Sequence, residues 1–527
     1  MYEKESELSK NSFFGHPIGL RTLFFTELWE RMSYYGMRGL LVLYMTIGVI
    51  GNPGLGWSNL EANAIYGIYA GMVYFLALPG GWLADNLLGY QKAVLYGALI
   101  IMLGHFTLAI PLEQTFILGL AFVAIGTGLL KPNISSIVGQ LYSDLDERRD
   151  SGFTVFYMSI NIGSMLGFAI CGYLGERIGW HWGFGAAGVG MLFGILQFIY
   201  FKRNLGDAGL YPNEMSESKR YSFKFWSIIS IIFFSAVVIT RMLGLWSIDP
   251  VFFAERFRDF LVIVSFIYFG YLFFFAGLTS FEKKNVLMLL LLFVGAAAFW
   301  SGFDQSAGSL SIFTRDYVNL NFGEFQAPVS WTQFLNPLFV VMFAPFFAYF
   351  WIILGKKNLN PNTPIKFAIG LIFMGLGFIV MLYAVEYAMV SAPVGVQWLL
   401  LTYLLHTFGE LTLSPVGLSA FSRYSPKRYL GQMMGLWFLA SSLGGVLAGL
   451  FGGEATESGL SSMTPIFTEL IYYYLILAAV LVGLSFFIKG NIATLNGANL
   501  GCNFITTRVV SLPFASFTVS SWYASIK

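Results

Sequence analysis

Four charged side chains lie within a short stretch of an otherwise apolar segment, TELWERMSYYGMRGL, residues 26–40. They are Glu27, Glu30, Arg31 and Arg38, and the flanking stretches IGLRTLFF and LVLYMTIGVI would bury them in a membrane. Carboxylates beside a guanidinium can bind and release protons, and the guanidinium can hold an anionic group of a ligand. Because ionised groups are costly at membrane depth, we expect these four to face a protein interior or a water-filled cavity and to serve function.

Helical geometry places these charges on one side. At about 100° per residue, Glu27, Glu30, Arg31, Tyr34 and Arg38 return to one face of a helix. A single buried pair could simply neutralise itself. The predicted membrane spans, however, hold four acidic and three basic residues away from their ends, which favours a charged pathway. These residues are Glu27, Glu30, Arg31, Arg38, Lys131, Asp304 and Glu410.

The composition indicates which solvent surrounds the chain. Of its 527 residues, 57% are hydrophobic and only 11% are charged, whereas soluble domains carry about 25% charged residues. The chain is therefore predicted to be an all-α polytopic membrane protein in a lipid bilayer. Segments of roughly 20 apolar residues predict fourteen transmembrane helices along the sequence.

Other classes of protein fit the sequence less well. The two cysteines have no zinc or disulfide spacing, and a net charge of +2 spread over short loops predicts no nucleic-acid partner. An enzyme would need a grouping such as GxSxG or HExxH, which does not occur. A channel would favour rings of like charge, whereas opposite charges occur in both halves here. Saturable flux and counterflow would distinguish a carrier from a channel.

Sixteen lysine and arginine residues lie in connections on one side of the predicted spans. By the positive-inside rule this side is cytoplasmic, together with both termini. Connections on the other side, such as GNPGLGWSNLEA and FGGEATESGLSSMTP, contain neither lysine nor arginine. An exception is a hairpin with predicted helices 222–244 and 260–281, whose outer turn would contain Arg241, Arg256 and Arg258.

The chain divides into two similar halves. LLKPNISS and LTLSPVGLS each place a proline inside a span, and each precedes a basic loop and a Gly-rich helix. Repeated halves with a site between them are typical of transporters. The predicted parts are a cytoplasmic segment 1–17 without a cleaved signal, a six-helix bundle 18–202, a cytoplasmic linker 203–221, an inserted hairpin 222–284, a second six-helix bundle 285–490 and a tail 491–527 of unknown role.

Several motifs resemble those of the proton-dependent oligopeptide transporter family, a branch of the major facilitator superfamily. The Glu-X-X-Glu-Arg stretch followed by YYG resembles its first-helix motif. GGWLADNLLGYQKAVLYGALIIMLG and FYMSINIGSM resemble two further signatures, and GLLKPN, WSGFDQ, FLNPLF, GELTLSPVGLSAFSRYSP and MMGLWFLA are also similar. The likeness covers residues 14–490, and the hairpin resembles the additional helix pair of bacterial members.

The resemblance implies a major facilitator fold and symport of di- and tripeptides with protons across a bacterial cytoplasmic membrane. It also implies a protein that acts as a monomer, with protons as the coupling ion and with no cofactor or metal. A zwitterionic dipeptide needs a cation at one end and an anion at the other, roughly 7 Å apart. Because relatives in plants carry nitrate and other anions, nitrate or a peptide-like metabolite remains an alternative cargo.

Several positions match substrate-binding residues of the family. The resemblance implies that the peptide carboxylate is bound by Arg31, Tyr35 and Lys131. It implies that the amino terminus is bound by Asn161, Asn336 and Glu410. The remaining positions would line side-chain pockets or the substrate site, namely Tyr34, Tyr74, Trp300, Ser414 and Trp437.

Other positions match the coupling and gating residues of the family. The proton-coupling set would be Glu27, Glu30, Arg31, Asp304 and Glu410. Because the proton affinity of a carboxyl depends on whether a base lies beside it, the two glutamates are expected to compete with the peptide carboxylate for Arg31 and Lys131. Two ion pairs would act as gates, Arg38 with Asp304 on the extracellular side and Lys131 with Glu410 on the intracellular side.

Overall fold

The protein is almost entirely helical. The structure, a computed structural model, describes residues 12–48, 52–143, 146, 148–213, 217–218, 221–223, 225, 229, 236, 240 and 249–498. Among these residues, eleven helices are long and apolar enough to cross a membrane. Two further long helices, Gly19–Thr46 and Gln397–Tyr424, contain charged and polar residues of the predicted site. The predicted span 222–244 lies largely outside the described residues, as do residues 1–11 and 499–527.

Six long helices form the N-terminal half. They are α1 (Gly19–Thr46), α2 (Asn59–Phe75, followed by Ala77–Leu83), α3 (Tyr90–Leu108), α4 (Glu113–Gln140), α5 (Arg149–Tyr173) and α6 (Trp180–Phe201). The helix α1 packs along α5 and α6, and α3 packs along α4. Two π-helical turns, Ala84–Leu88 and Leu174–Ile178, extend α2 and α5. We call the end of the molecule at which α1 ends and α2 begins the outer end, and the opposite end the inner end.

The inserted hairpin contributes one described helix, α7 (Pro250–Phe274). The prediction of a helix over 260–281 is wrong at its beginning, because the chain carries a helix-start signal at residue 249. The Asp249 side chain accepts a hydrogen bond from the Phe252 backbone N–H at 2.8 Å, and proline occupies the first position of the helix. Both features favour helix initiation at this point.

The earlier beginning of α7 changes the position of two basic residues. Arg256 and Arg258, predicted in the outer turn, lie inside the helix. Asp259 pairs with both of them, with N–O distances of 2.9 Å, and Glu255 pairs with Arg256 at 3.6 Å. Their charge is therefore balanced locally, which explains how two arginines are accommodated on the outer side. Arg241 lies outside the described residues.

The C-terminal half again contains six long helices. They are α8 (Ser280–Phe303, continued by Ser309–Tyr317), α9 (Leu335–Lys356, preceded by the 3-10 helix Val329–Phe334), α10 (Thr363–Ser391), α11 (Gln397–Tyr424), α12 (Leu430–Thr456) and α13 (Leu460–Ala498). The helix α10 packs along α11 and α13, and α8 packs along α12. The prolines noted in both halves lie inside α4 and α11.

The halves meet along a seam between α2 and α12. Gly67 and Gly449 approach so closely that a Cβ on Gly67 would lie 2.8 Å from the Gly449 Cα. Ser442 donates a hydrogen bond across the seam to the Gly71 carbonyl at 2.8 Å. Small residues allow this backbone approach in a membrane, where close packing and hydrogen bonds hold helices together.

A short antiparallel hairpin at residues 12–17 precedes α1 and lies against the inner end of the N-terminal half. His16 Nδ1 lies 3.1 Å from the Tyr142 hydroxyl, and Arg148 donates to a carbonyl of the hairpin turn at 3.2 Å. Burial of the imidazole, and next the Arg148 guanidinium, hold the pKa of His16 below its ordinary value. These contacts attach the start of the chain to the α4–α5 connection.

Candidate functional site

A cluster of three charged side chains lies inside the N-terminal half, on α1. Glu27, Glu30 and Arg31 expose only 2%, 0% and 2% of their surface. Arg31 Nε lies 2.9 Å from Glu27 Oε1 and also contacts Glu30 Oε2. One guanidinium thus lies between two carboxylates. With all three ionised the cluster carries one net negative charge, which a proton on either carboxyl would neutralise.

Some atoms of this cluster lack hydrogen-bonding partners within the part of the chain that the structure describes. They include Glu27 Oε2, Glu30 Oε1 and Arg31 Nη2. An unmet buried donor or acceptor costs about 1–3 kcal/mol, and more when it is charged. The cluster therefore has an energetic reason to accept a proton on a carboxylate, or an anionic ligand on the guanidinium.

Two further predicted groups lie on opposite halves and are not paired. Lys131 Nζ, on α4, lies 4.3 Å from the centre of the Tyr74 ring. Glu410, on α11, accepts a hydrogen bond from Asn336 Nδ2 at 3.0 Å, and the same amide lies 3.0 Å from Thr407 Oγ1. The predicted ion pair between Lys131 and Glu410 is therefore absent from this arrangement of described residues, since each side chain has another neighbour.

A different ion pair joins the halves nearer the outer end. Arg38 Nη2, on α1, lies 2.6 Å from Asp304 Oδ1, at the end of α8. Arg38 Nε also donates to the Tyr66 hydroxyl at 2.9 Å. Each charged side chain of the pair is only 8% exposed. Removing one partner of a buried pair leaves an uncompensated charge, so this contact strongly favours the arrangement in which the outer ends are together.

A cavity lies between the two halves, below the Arg38–Asp304 pair. Its volume is about 70 Å³, which is smaller than the roughly 300–1,000 Å³ of typical small-molecule sites. Many of the predicted site residues line it. They are Tyr35, Arg38, Tyr74, Asn161, Trp300, Asp304, Asn336 and Glu410.

The other predicted residues are not lining residues of this cavity. They are Glu27, Glu30, Arg31, Tyr34, Lys131, Ser414 and Trp437. Arg31 lies over the Tyr34 ring at 5.3 Å, and Tyr34 stacks near Tyr69. Trp437 packs on Phe421 with 5.5 Å between ring centres, and Ser414 is half-buried on α11. Arg31 and Lys131 are thus each covered by one tyrosine ring.

Further residues of the cavity were not assigned to the site from the sequence. They are Tyr157, Ile160, Ser164, Phe168, Phe303, Ser306, Gln333, Pro337, Tyr403 and His406. Helical spacing would have indicated several of them. Tyr403 and His406 precede Glu410 by seven and four residues on α11, and Ser164 and Phe168 follow Asn161 by three and seven residues on α5.

The family profile described as POT family matches residues 91–463, well over half of the chain. The chain belongs to the POT family. A POT family protein is a transporter, and this chain is therefore a multi-span membrane transporter and not an enzyme. The predicted major facilitator fold is confirmed by the solved structures of the family that the chain matches.

Relatives and solved structures match along most of the chain. The peptide transporter YePEPT of Yersinia enterocolitica subsp. palearctica is 41% identical over 484 residues, which cover 89% of this chain and 94% of that protein. A di-/tripeptide transporter of Lactococcus lactis subsp. cremoris is 38% identical over 450 residues, which cover 82% of this chain and 88% of that protein. A crystal structure of a POT family transporter in complex with a thioalcohol conjugated peptide has a TM-score of 0.82 and 33% identity, and the match covers 90% of this chain and 97% of that one.

Proposed function

We propose that this POT family protein is a symporter that imports di- and tripeptides together with protons by alternating access. The observation that carries the proposal is the distribution of charge around the cavity. Arg38 of the N-terminal half lines it, and Lys131 lies 4.3 Å from the centre of the ring of Tyr74, another lining residue. The Asn336–Glu410 pair of the C-terminal half also lines it. The printed names of the relatives support peptides as the cargo.

The two ends of a peptide would bind to different halves. Glu410 and Asn336 would hold the amino terminus, because a carboxylate and an amide oxygen both accept hydrogen bonds from an ammonium group. Lys131 would bind the carboxylate. Lys131 now rests on the Tyr74 ring, a contact of about 0.5–2 kcal/mol, so an arriving carboxylate offers it a stronger charge-assisted partner. A ligand that touches both halves favours their closure around it.

Proton coupling would come from the cluster on α1. While Glu27 and Glu30 are both ionised, they hold Arg31. A proton on one carboxyl weakens that hold and makes the guanidinium available to the peptide carboxylate. Loss of the proton on the other side of the membrane would restore the original contacts and expel the peptide. Proton and peptide would therefore travel together.

The two ion pairs would act as alternating gates. In this structure the outer pair Arg38–Asp304 is formed, while Lys131 and Glu410 are apart. This supports an inward-facing state in which the outer gate is closed. The proposed setting is the bacterial cytoplasmic membrane, with both termini in the cytoplasm, the outer end extracellular and the protein acting as a monomer.

The first test is uptake of labelled dialanine into proteoliposomes under an inward proton gradient, with and without an uncoupler. We expect accumulation that collapses with the uncoupler. Unlabelled di- and tripeptides should compete, and free alanine should not. Liposomes without protein and a Glu410→Gln variant are the controls.

Two results would contradict the proposal. Accumulation that persists with the uncoupler would exclude coupling to protons. Absence of any dialanine uptake by folded protein would exclude the peptide cargo, and nitrate and peptide-like metabolites would then be tested in the same vesicles.

A further inference from the structure

A second polar connection joins the halves at the outer end, beyond the Arg38–Asp304 pair. Glu176, in the π-helical turn after α5, accepts hydrogen bonds from the backbone N–H groups of Val329 and Ser330. The distances are 2.7 and 2.9 Å, and each carboxylate oxygen takes one bond. Val329 and Ser330 begin the 3-10 helix that leads into α9. A carboxylate of one half thus caps a helix of the other half.

The neighbouring Arg177 binds the same segment through different groups. Its guanidinium donates to Gln326 Oε1 at 3.0 Å and to the Ala327 carbonyl at 3.2 Å, and it also contacts the Gln326 carbonyl. Adjacent residues of opposite charge therefore hold N–H groups and carbonyl groups of one short segment. We call Glu176, Arg177 and residues 326–330 the outer clasp.

The packing beside the clasp is close. Trp331 Nε1 donates to the Ala169 carbonyl of α5 at 3.1 Å. A Cβ on Gly172 would lie 2.2 Å from Ser330 Oγ, so a side chain at that position would force the segments apart. The outer clasp is thus part of a fitted contact surface and does not depend on a single surface ion pair.

The N-terminus of a helix needs partners for its first N–H groups and favours a negative charge beside them. The 3-10 helix that leads into α9 obtains both from Glu176, and only while the outer ends of the halves are together. Separation of the outer ends would leave the carboxylate and the two N–H groups to water. The same motion would release the carbonyls held by Arg177. The outer ends of the halves therefore cannot separate while Glu176 caps the 3-10 helix.

We propose that the outer clasp is a second outer gate, which must open before the cavity faces outward and which biases the protein toward its outer-closed state. It acts on α9, the helix that carries Asn336, so Glu176 is a positioning residue for the substrate site. The proposal deepens the alternating-access mechanism proposed above and rests on it. The role follows from the contacts of Glu176 and Arg177 across the two halves.

The first test measures the distance between the halves directly. Spin labels would be placed at Gln114 and Ser458, exposed outer-end positions of the two halves, after replacement of Cys171 and Cys502. Double electron–electron resonance in lipid, without peptide, would give the distance distribution. We expect Glu176→Gln with Arg177→Gln to raise the fraction of molecules at the longer distance severalfold.

Matched controls make this result specific. Glu61 also accepts a bond from a backbone N–H, but it caps α2 within its own half, and Arg256 pairs within α7. Glu61→Gln and Arg256→Gln should leave the distribution unchanged. Asp304→Asn should lengthen the distance and thereby show that the label pair detects opening. The proposal is wrong if Asp304→Asn shifts the distribution and the clasp variant does not, or if the Glu61 variant shifts it equally.

A second test locks the clasp without removing its charges. The Cβ of a cysteine at Gly172 would lie 3.3 Å from the Ser330 Cβ, close to the separation in disulfides. We expect Gly172→Cys with Ser330→Cys to lose dialanine uptake on oxidation and to recover it with a reductant, while the uptake of each single variant does not change on oxidation. Full uptake by the cross-linked protein would overturn the proposal. If the parent protein does not transport dialanine, the proposed cargo has failed, and the distance measurement still decides the role of the clasp.

Discussion

Arg31 is central to the proposed coupling, because both carboxylates of the α1 cluster contact it. Replacing either glutamate by glutamine removes one titratable site and keeps the shape of the side chain. We expect Glu27→Gln and Glu30→Gln each to abolish gradient-driven uptake while sparing exchange of labelled for unlabelled peptide. Driven uptake and counterflow in the same proteoliposomes check this. Glu61→Gln, at the N-terminal cap of α2 and outside the cluster, is the control, and driven uptake that survives in both variants would disprove the coupling assignment.

Glu410 supplies the charge proposed to hold the amino terminus. Hydrogen bonds to charged groups contribute about 1.5–3 kcal/mol, which corresponds to about a tenfold or larger change in an equilibrium constant. We expect Glu410→Gln to raise the concentration of dialanine needed for half-maximal exchange by about tenfold or more. The rate of exchange at several dialanine concentrations measures this change. Glu457→Gln, at an exposed position, is the control. An unchanged half-saturating concentration would remove Glu410 from the substrate site.

Charge and family resemblance together predicted much of the cavity at the residue scale. Asn336 and Glu410 were predicted in one set, and the structure joins them by a hydrogen bond. Tyr403 and His406 were not assigned to the cavity, although they share a helix with Glu410 and are spaced to share its face. A tyrosine or histidine in an apolar span is usually a packing residue, so residue type alone gave no reason to select them.

At the scale of elements, the close contact between α2 and α12 at the seam requires glycines, which have no side chain. A methyl group at Gly67 would lie 2.8 Å from the Gly449 Cα and 3.1 Å from the Val446 carbonyl. Backbone atoms cannot move away cheaply, so Gly67→Ala should disfavour the state in which the seam is closed. We expect a larger outward-open fraction in the spin-label measurement. Gly270→Ala, where a Cβ meets nothing within 4 Å, is the matched control, and equal distributions for the two variants would contradict the expectation.

The N-terminal hairpin should detach as the pH falls. The folded chain lowers the pKa of His16 below 6.5 through burial and the Arg148 charge, so folding favours the neutral imidazole. The stabilising contribution is complete above about pH 6.5 and is lost as the pH falls below it. Asp146 opposes the effect only in part. We expect a nitroxide at Phe14, which is 76% exposed, to gain mobility between pH 7.5 and 5.5. The His16→Gln variant should remove this pH dependence. If the variant shows the same pH dependence, protonation of His16 does not cause the hairpin to detach.

Helix existence was easier to predict than helix beginnings. Hydrophobic length identified the second helix of the hairpin but placed its start at residue 260. The Asp249–Pro250 pair contained the necessary signal, since an N-cap followed by proline marks a first turn. The charged residues Glu255 to Asp259 concealed it, because a hydropathy window treats a charged helical turn as a loop.

At the scale of the whole molecule, the outer gate should determine which side reaches the cavity. Asp304→Asn removes the charge that balances Arg38, and breaking one side of a buried pair costs about 3–5 kcal/mol. We expect a cysteine at Ser164, a cavity residue, to react faster with an impermeant thiol reagent added from outside in the Asp304→Asn protein than in the parent. Right-side-out vesicles and Cys171- and Cys502-free protein are required. Equal reaction rates would show that this pair does not hold the outer end closed.

The conformational state could not be predicted from the sequence. The Lys131–Glu410 pair is compatible with the sequence and with the family, yet its members are apart here. Alternating states of a carrier use the same residues and differ by a few kcal/mol, whereas sequence patterns report features common to both. The outer clasp was missed for a related reason, because Glu176 binds backbone groups whose position depends on the docking of two halves.

The excess carboxylate of the buried set has an electrical consequence. Four acids and three bases give one negative charge when all are ionised, and one bound proton makes the set neutral, with or without a zwitterionic peptide. The loaded carrier would then cross between its states without moving charge, and the empty carrier would carry one negative charge on its return. A potential that is negative inside drives that charge outward, with up to about 2.3 kcal/mol per 100 mV. The membrane voltage would therefore accelerate the return of the empty carrier and leave the inward step of the loaded one unaffected.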